Sequence, residues 1–469
     1  MELKVKVNLV ALARPTFDLE IAQTRFEEAI ALLCSLGATV LGPGRLIMTP
    51  QDVSESRLED SDHYILLLAS FSDASPAIEL LGKVKKPILL WSLLEPGAVG
   101  ERLKLNSLCG ANLAAHALTG VGQSVRHIHG NPETSLVKEK LLNAFAGRYP
   151  SDEAPEAIHS KEFDSKSGQD ALNKLATQRI GIIGEAPIGF TPCEYDEAQI
   201  NKLFGLSIIP ITVNEAFSKI EAVPVQVTQD CHDHALNEQP SLGRVNREEA
   251  LKVASVEGAL KSWIEEESLD AIAIRCWPEF PTEMGACVCS AMGRLADLGT
   301  VTTCERDVLG AVTMLLIEAL GCNQNYLVDI VDLDASENVI RLWHCGSAAT
   351  KLAADPSNAT QTVHCNRKLG VAGDFPLRTG PVTLVRLDRD LDPKNSSGLR
   401  MIVSRGESIP APNQFQGNTA TVKTDCNAAA LVNGMVTRGY PHHLVISWAD
   451  VRPGLRSVAT KIGIPLNEW

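Results

Sequence analysis

The chain has 469 residues, 45% of them hydrophobic and 21% charged, which predicts a globular protein of two or three domains. A formal net charge of −14 argues against a nucleic-acid partner, whose phosphates call for a basic face. No apolar run reaches the length of a membrane span, so no membrane association is expected. The N-terminus lacks the sequence of a signal peptide and reads as a first strand, which gives the expectation of a cytoplasmic protein. The 12 cysteines show no paired zinc-ribbon spacing and read as reduced core thiols.

In chain order, residues 1–176 alternate strand and helix. Apolar strands at 4–12, 64–69 and 87–91 and an amphipathic helix at 19–36 predict βαβ units and a parallel sheet covered on both faces. No GxGxxG or Walker A string appears, so no nucleotide cofactor is expected. Residues 151–176 read as a polar linker followed by a helix. A second Rossmann-like α/β domain is predicted over 177–350. Its first strand, Arg179–Ile183, runs into the Gly-rich loop Gly184–Phe190, which is either a plain turn or a ligand loop at a strand end. The polar stretch 223–247 contains Cys231-His232-Asp233-His234 and reads as a solvated loop without a matching second ligand set. From 351 to 469 short strands alternate with turns, which predicts a β-rich, barrel-like C-terminal domain. The boundary is expected in Ala353–Asn358.

The densest chemistry lies between Ala271 and Gly321. A strand ends in Arg275-Cys276-Trp277, a proline-broken turn leads to Glu283, and a helix follows. A second connection, Thr303-Cys304-Glu305-Arg306-Asp307-Val308-Leu309-Gly310, enters another helix. Glu283 and Asp307 stand 24 residues apart, each where a connection enters a helix. Helix N-termini stabilise ionised carboxylates, so the pair reads either as two caps or as ligands for a hard cation. Glu305 could serve in place of Asp307.

These motifs resemble the L-fucose and L-arabinose isomerase family. The resemblance implies that Glu283 and Asp307 bind a metal and exchange the proton of an aldose–ketose isomerisation through a cis-enediol. In Gly439-Tyr440-Pro441-His442-His443 the family's histidine falls at His442, with His443 as second candidate, since two residues at a strand start face opposite sides. His344, in Trp343-His344-Cys345-Gly346-Ser347-Ala348-Ala349, resembles an arabinose-isomerase ligand and is either a ligand or a substrate contact. Two or more carboxylates with one imidazole and no thiolate suit Mn²⁺, with Mg²⁺ or Co²⁺ as substitutes. Arg275, Trp277, Phe190 and His443 are candidates to shape a monosaccharide pocket, although Arg275 could pair with a carboxylate instead. By resemblance a homo-oligomer is expected. Two rivals are a sugar-binding or regulatory protein of the same fold without turnover, and a metallohydrolase.

Overall fold

A computed structural model describes residues 5–149, 156–157, 165–390 and 395–469. It is a mixed α/β protein built around two parallel sheets and one large β-rich sheet. The linker expected over residues 151–164 lies almost wholly outside the described residues. Among those residues no helix is long and apolar enough to cross a membrane.

The first sheet centres on Val5–Leu12, whose last six residues are buried, as a strand covered on both faces requires. It pairs in parallel with Ala38–Leu41 on one side and with His63–Leu68 on the other, so the strand order reverses at this strand. The helix between the first two strands, Leu19–Ser35, starts at Asp18, whose carboxylate accepts from the Ile21 backbone N–H. In the second sheet Arg179–Ile183 pairs in parallel with Ser207–Ile211 and with Ala271–Ile274, which pairs in turn with Val301–Thr303. Here too the order reverses at the first strand. Open sheets of this kind bind ligands beyond the carboxyl ends of their strands at such reversals. Those ends carry Arg14 in the first sheet, and Gly184, Arg275–Trp277 and Glu305 in the second.

Gly184 is the glycine that the geometry requires. Its φ is +73°, and a Cβ there would stand 2.8 Å from Val213 Cγ2 and 3.0 Å from Arg275 Cδ.

The third sheet closes on itself. Strands Asn418–Thr424, Val339–His344, Asn325–Asp334, His443–Ser447, Gly380–Arg389 and Leu399–Ile409 pair in that order, each antiparallel to the next. The last returns to pair with the first, which makes a six-stranded ring. Closure removes the free edges that such strands would expose. The ring takes in Asn325–Asp334 and Val339–His344, so the β-rich sheet reaches back across the boundary expected near residue 350.

Two local expectations need correction. The stretch 223–247 is helical over Val225–Glu238, because Cys231 and Ala235 supply a buried face four residues apart. Its His232 is buried on that helix and meets the exposed carboxylate of Asp233. The helix expected from Met284 begins only at Cys289, after a short π-helical turn, Phe280–Met284, that closes on Gly285 at φ +71°.

Candidate active site

The two sheet ends and one end of the barrel enclose a cleft of about 780 Å³, counting its open mouth. Five acidic and imidazole side chains line it: Glu305, Asp329, His344, His364 and His442.

Glu305 sits in the short turn that follows Val301–Thr303. It and Arg306 both have left-handed backbone, with φ of 58° and 57°. Such conformations are costly for residues with a side chain and collect where function needs a particular aim. Here the turn aims the Glu305 carboxylate into the cleft. Oε1 accepts a hydrogen bond from Trp277 Nε1 at 3.2 Å, and Oε2 lies 3.2 Å from His442 Nε2 and 3.6 Å from His443 Nε2. Burial pushes its pKa up. The hydrogen bond from His442 and the charges of His443 and His442 outweigh that, so the carboxyl stays below its usual range.

Asp329 enters from the barrel strand Asn325–Asp334. It is buried, and its Oδ1 makes no hydrogen bond among the described residues while standing 3.5 Å from His443 Nε2. Burial raises its pKa. A buried carboxylate oxygen without a partner is costly unless something else supplies one.

Asp307 does a different job. It is fully buried, and Arg386 grips it with two bonds, Nη1 to Oδ2 at 2.5 Å and Nη2 to Oδ1 at 2.9 Å. Oδ1 also accepts from the Gly310 backbone N–H, the cap of helix Val308–Ala319, and Oδ2 meets His443 Nδ1 at 2.8 Å. Both oxygens are thus engaged by protein donors. Against burial, which raises the pKa, the Arg386 guanidinium holds this carboxyl well below the carboxylate range. Asp307 therefore orients His443, whose Nε2 is left facing Glu305 and Asp329.

His442 lines the cleft, its buried Nδ1 without a hydrogen-bond partner among the described residues, and His443 packs behind it, ring centroids 4.0 Å apart. His344 accepts from the Cys345 backbone N–H at Nδ1, and its buried Nε2 has no partner among the described residues. Phe190 is edge-on to Trp277 and His442, which sets one wall. Arg275 is spent on the frame: it binds Glu279 through Nε and Nη2 and the carbonyls of Glu185 and Ala186 through Nη1.

Glu283 is exposed in the turn Phe280–Met284 and does not line the cleft. The fold gathers Glu305, Asp329, His442, His443 and Asp307 and leaves Glu283 outside. We expect Glu283→Gln to keep kcat/KM within about twofold of the parent in a steady-state assay, as surface substitutions usually do.

Among the cleft residues that the sequence does not single out are Asp329, Arg14, Arg367 and His364. A signal for Asp329 was present. Glu305 and Asp329 stand 24 residues apart, the same interval as Glu283 and Asp307. Asp329 also breaks an otherwise apolar strand core, YLVDIV.

A cleft with two carboxylates and clustered imidazoles is equipped for proton transfer on a small polar substrate. The sulfoquinovose isomerase of Priestia aryabhattai is 30% identical over 450 residues, 95% of each chain. That of Alkalicoccus urumqiensis is 29% identical over 469 residues, covering 98% of this chain and 99% of its own. That of Clostridium sp. (strain MSTE9) is 30% identical over 460 residues, 97% of each. No protein-family model matches the sequence. The chain is an enzyme of the sugar aldose–ketose isomerase class. Within that class it belongs to the sulfoquinovose isomerase family.

Proposed function

We propose that this enzyme interconverts the aldose and ketose forms of a sulfonated hexose through a cis-enediol, with a divalent cation, Mn²⁺ by preference, held by Glu305, Asp329 and His442. The observation that carries the proposal is the convergence of Glu305, His442 and His443, whose ligand atoms all lie within 4.8 Å of one another, beside the buried Asp329, whose Oδ1 has no hydrogen-bond partner among the described residues. The donors are oxygen and imidazole nitrogen, which suits Mn²⁺ and, less well, Mg²⁺. A bound cation would supply Lewis-acid polarisation of the sugar's carbonyl and neighbouring hydroxyl.

The remaining roles fall to the chain. Glu305, kept ionised, takes the C2 proton and returns it to C1. Its hydrogen bond from Trp277 fixes the carboxylate plane. Asp329, with its pKa raised by burial, moves the hydroxyl proton between the two oxygens. His443, held by Asp307, keeps both carboxylates in place. His344 contacts the substrate from the barrel side. A homo-oligomer in the cytoplasm belongs to the same proposal, by resemblance to the fucose isomerases.

Two guanidinium groups favour an anionic sugar. Arg14 stacks over Trp277 at 4.8 Å and Arg367 at 5.5 Å, so both flank the indole at the cleft wall. Burial, followed by the opposed charges of Asp73 and Arg367, leaves the Arg14 pKa lowered, and a sulfonate between the two guanidiniums would relieve their repulsion. Arg14→Met and Arg367→Met should each raise KM for a sulfonated aldose by about 10- to 100-fold, the worth of one charge-assisted hydrogen bond. KM for the unsulfonated parent sugar should change little.

The function is tested by incubating metal-loaded enzyme with sulfoquinovose in deuterated water and following the products by NMR. The expected result is a ketose with deuterium entering the C1–C2 unit, abolished by a chelator. Conversion without any deuterium entry, or unaffected by the chelator, would overturn the mechanism.

A further inference from the structure

Arg14 and Arg367, the two guanidiniums of the cleft wall, stand on separate loops. Arg14 lies in the turn after Val5–Leu12, where the Phe17 backbone N–H donates to its carbonyl at 3.0 Å. Arg367 lies in the turn between Thr360–Val363 and Gly370–Pro376, where the backbone N–H groups of Asn366 and Arg367 donate to His364 Nδ1 at 3.1 and 3.3 Å. Two like charges on separate loops push those loops apart.

A third arginine spans the gap. Arg102 Nη1 donates to the Thr16 carbonyl at 3.0 Å and to Asn366 Oδ1 at 3.4 Å, partners 86 and 264 residues away in the chain. Thr16 and Asn366 line the cleft beside Arg14 and Arg367, whereas Arg102 stands half-buried behind them and does not line it. Its own footing is firm on both sides. Gly100 N–H donates to the Gln414 carbonyl and Gln416 N–H to the Glu101 carbonyl, each at 3.0 Å. Leu103 and Leu105 are fully buried, and the Glu95 carboxylate accepts from the N–H groups of Leu105 and Asn106. Gln416 Nε2 also donates to the Val363 carbonyl at 3.0 Å, at the entry to the turn that carries Arg367. Both acceptors of Arg102 are neutral. A carboxylate in either place would tie the loops together as well, but it would offset the positive field that an anionic group needs.

We infer that Arg102 is a positioning residue for substrate selection: it fixes the separation of Arg14 and Arg367, and so sets how tightly the cleft holds an anionic substituent on the sugar. This rests on the reading of Arg14 and Arg367 as the groups that hold the sulfonate. Without the bridge the loops relax apart, and the sulfonate must draw them together as it binds, at a cost in affinity.

The test is steady-state kinetics of the metal-loaded full chain with a sulfonated aldose and with its unsulfonated parent. Arg102→Met should raise KM for the sulfonated aldose by about 5- to 20-fold and leave kcat within about twofold, since the bridge orders binding groups and not reacting ones. Affinity for the parent sugar, read as KM or as its inhibition of the sulfonated substrate, should not change. Arg102→Lys, whose single ammonium can donate to both acceptors, should recover most of the loss. In an Arg14→Met/Arg367→Met background, Arg102→Met should add nothing further. Should Arg102→Met fail to fold, Arg102→Gln replaces it, with the same selective rise in KM expected. An unchanged KM for the sulfonated aldose, an equal loss for both sugars, or a further rise in the double background would overturn the role. If Arg14→Met and Arg367→Met themselves leave that KM unaltered, the anion reading fails; if they raise it and Arg102→Met does not, only the positioning role fails.

Discussion

Glu305→Gln is expected to lower kcat by about 10²- to 10⁴-fold, the range that a positioned general acid–base group contributes. The variant should fold normally. The amide keeps the size of the carboxylate and the hydrogen bond from Trp277 Nε1, so the turn keeps its shape while the charge and the acceptor facing His442 are lost. KM should move far less than kcat, because in the proposed mechanism Glu305 acts on the reacting carbons and the Arg14–Arg367 pair holds the sulfonate. Steady-state kinetics alongside circular dichroism check the prediction. A variant that loses activity only by unfolding would leave the role of Glu305 unsupported.

The second large effect concerns stability. Asp307→Leu should destabilise the protein by about 3–5 kcal/mol, since it strands the Arg386 guanidinium fully buried without its partner. Arg386→Met should cost a similar amount for the converse reason. The double variant should be less destabilised than either single one, because the desolvation penalty goes with both charges. Denaturant melts of the four proteins complete the cycle. The pH dependence has a definite sign. The folded pKa of Asp307 lies below its ordinary value of 3.8, so its contribution is fully present above that value. It is lost only as the pH falls further, toward the depressed folded pKa, and Asp307→Leu should flatten this acid limb. The variant should also lose activity, since His443 is released from its anchor.

The sequence points to Ala271–Gly321 and, within it, to Glu283 and Asp307; the fold brings Glu305 of that segment to the cleft and leaves Glu283 exposed outside it. The alternating strands and helices, the β-rich last third and the turn before Val308–Ala319 were all legible from local pattern, because periodicity and capping are local. Both rival readings of Asp307 were on the page: a helix cap and a ligand. The structure makes it a cap and an ion-pair partner. Arg386 decides this, and it lies 79 residues downstream, where no local signal could announce it. Glu283 and Glu305 each follow a strand of the second sheet by a short connection. They differ in that Glu305 is turned inward by two consecutive left-handed residues, a backbone conformation that Glu and Arg side chains do not predict. Asp329 hid inside a strand that reads as barrel core. Arg14 and Arg367 lie 353 residues apart in the sequence and meet across Trp277.

Manganese binding tests the central claim most directly. An electron paramagnetic resonance titration of the metal-free protein should show one tight Mn²⁺ site. Asp329→Asn should weaken that site by at least tenfold, and Glu283→Gln should leave it unchanged. Unaltered binding in Asp329→Asn together with loss in Glu283→Gln would place the metal elsewhere and contradict the assignment of Glu305, Asp329 and His442.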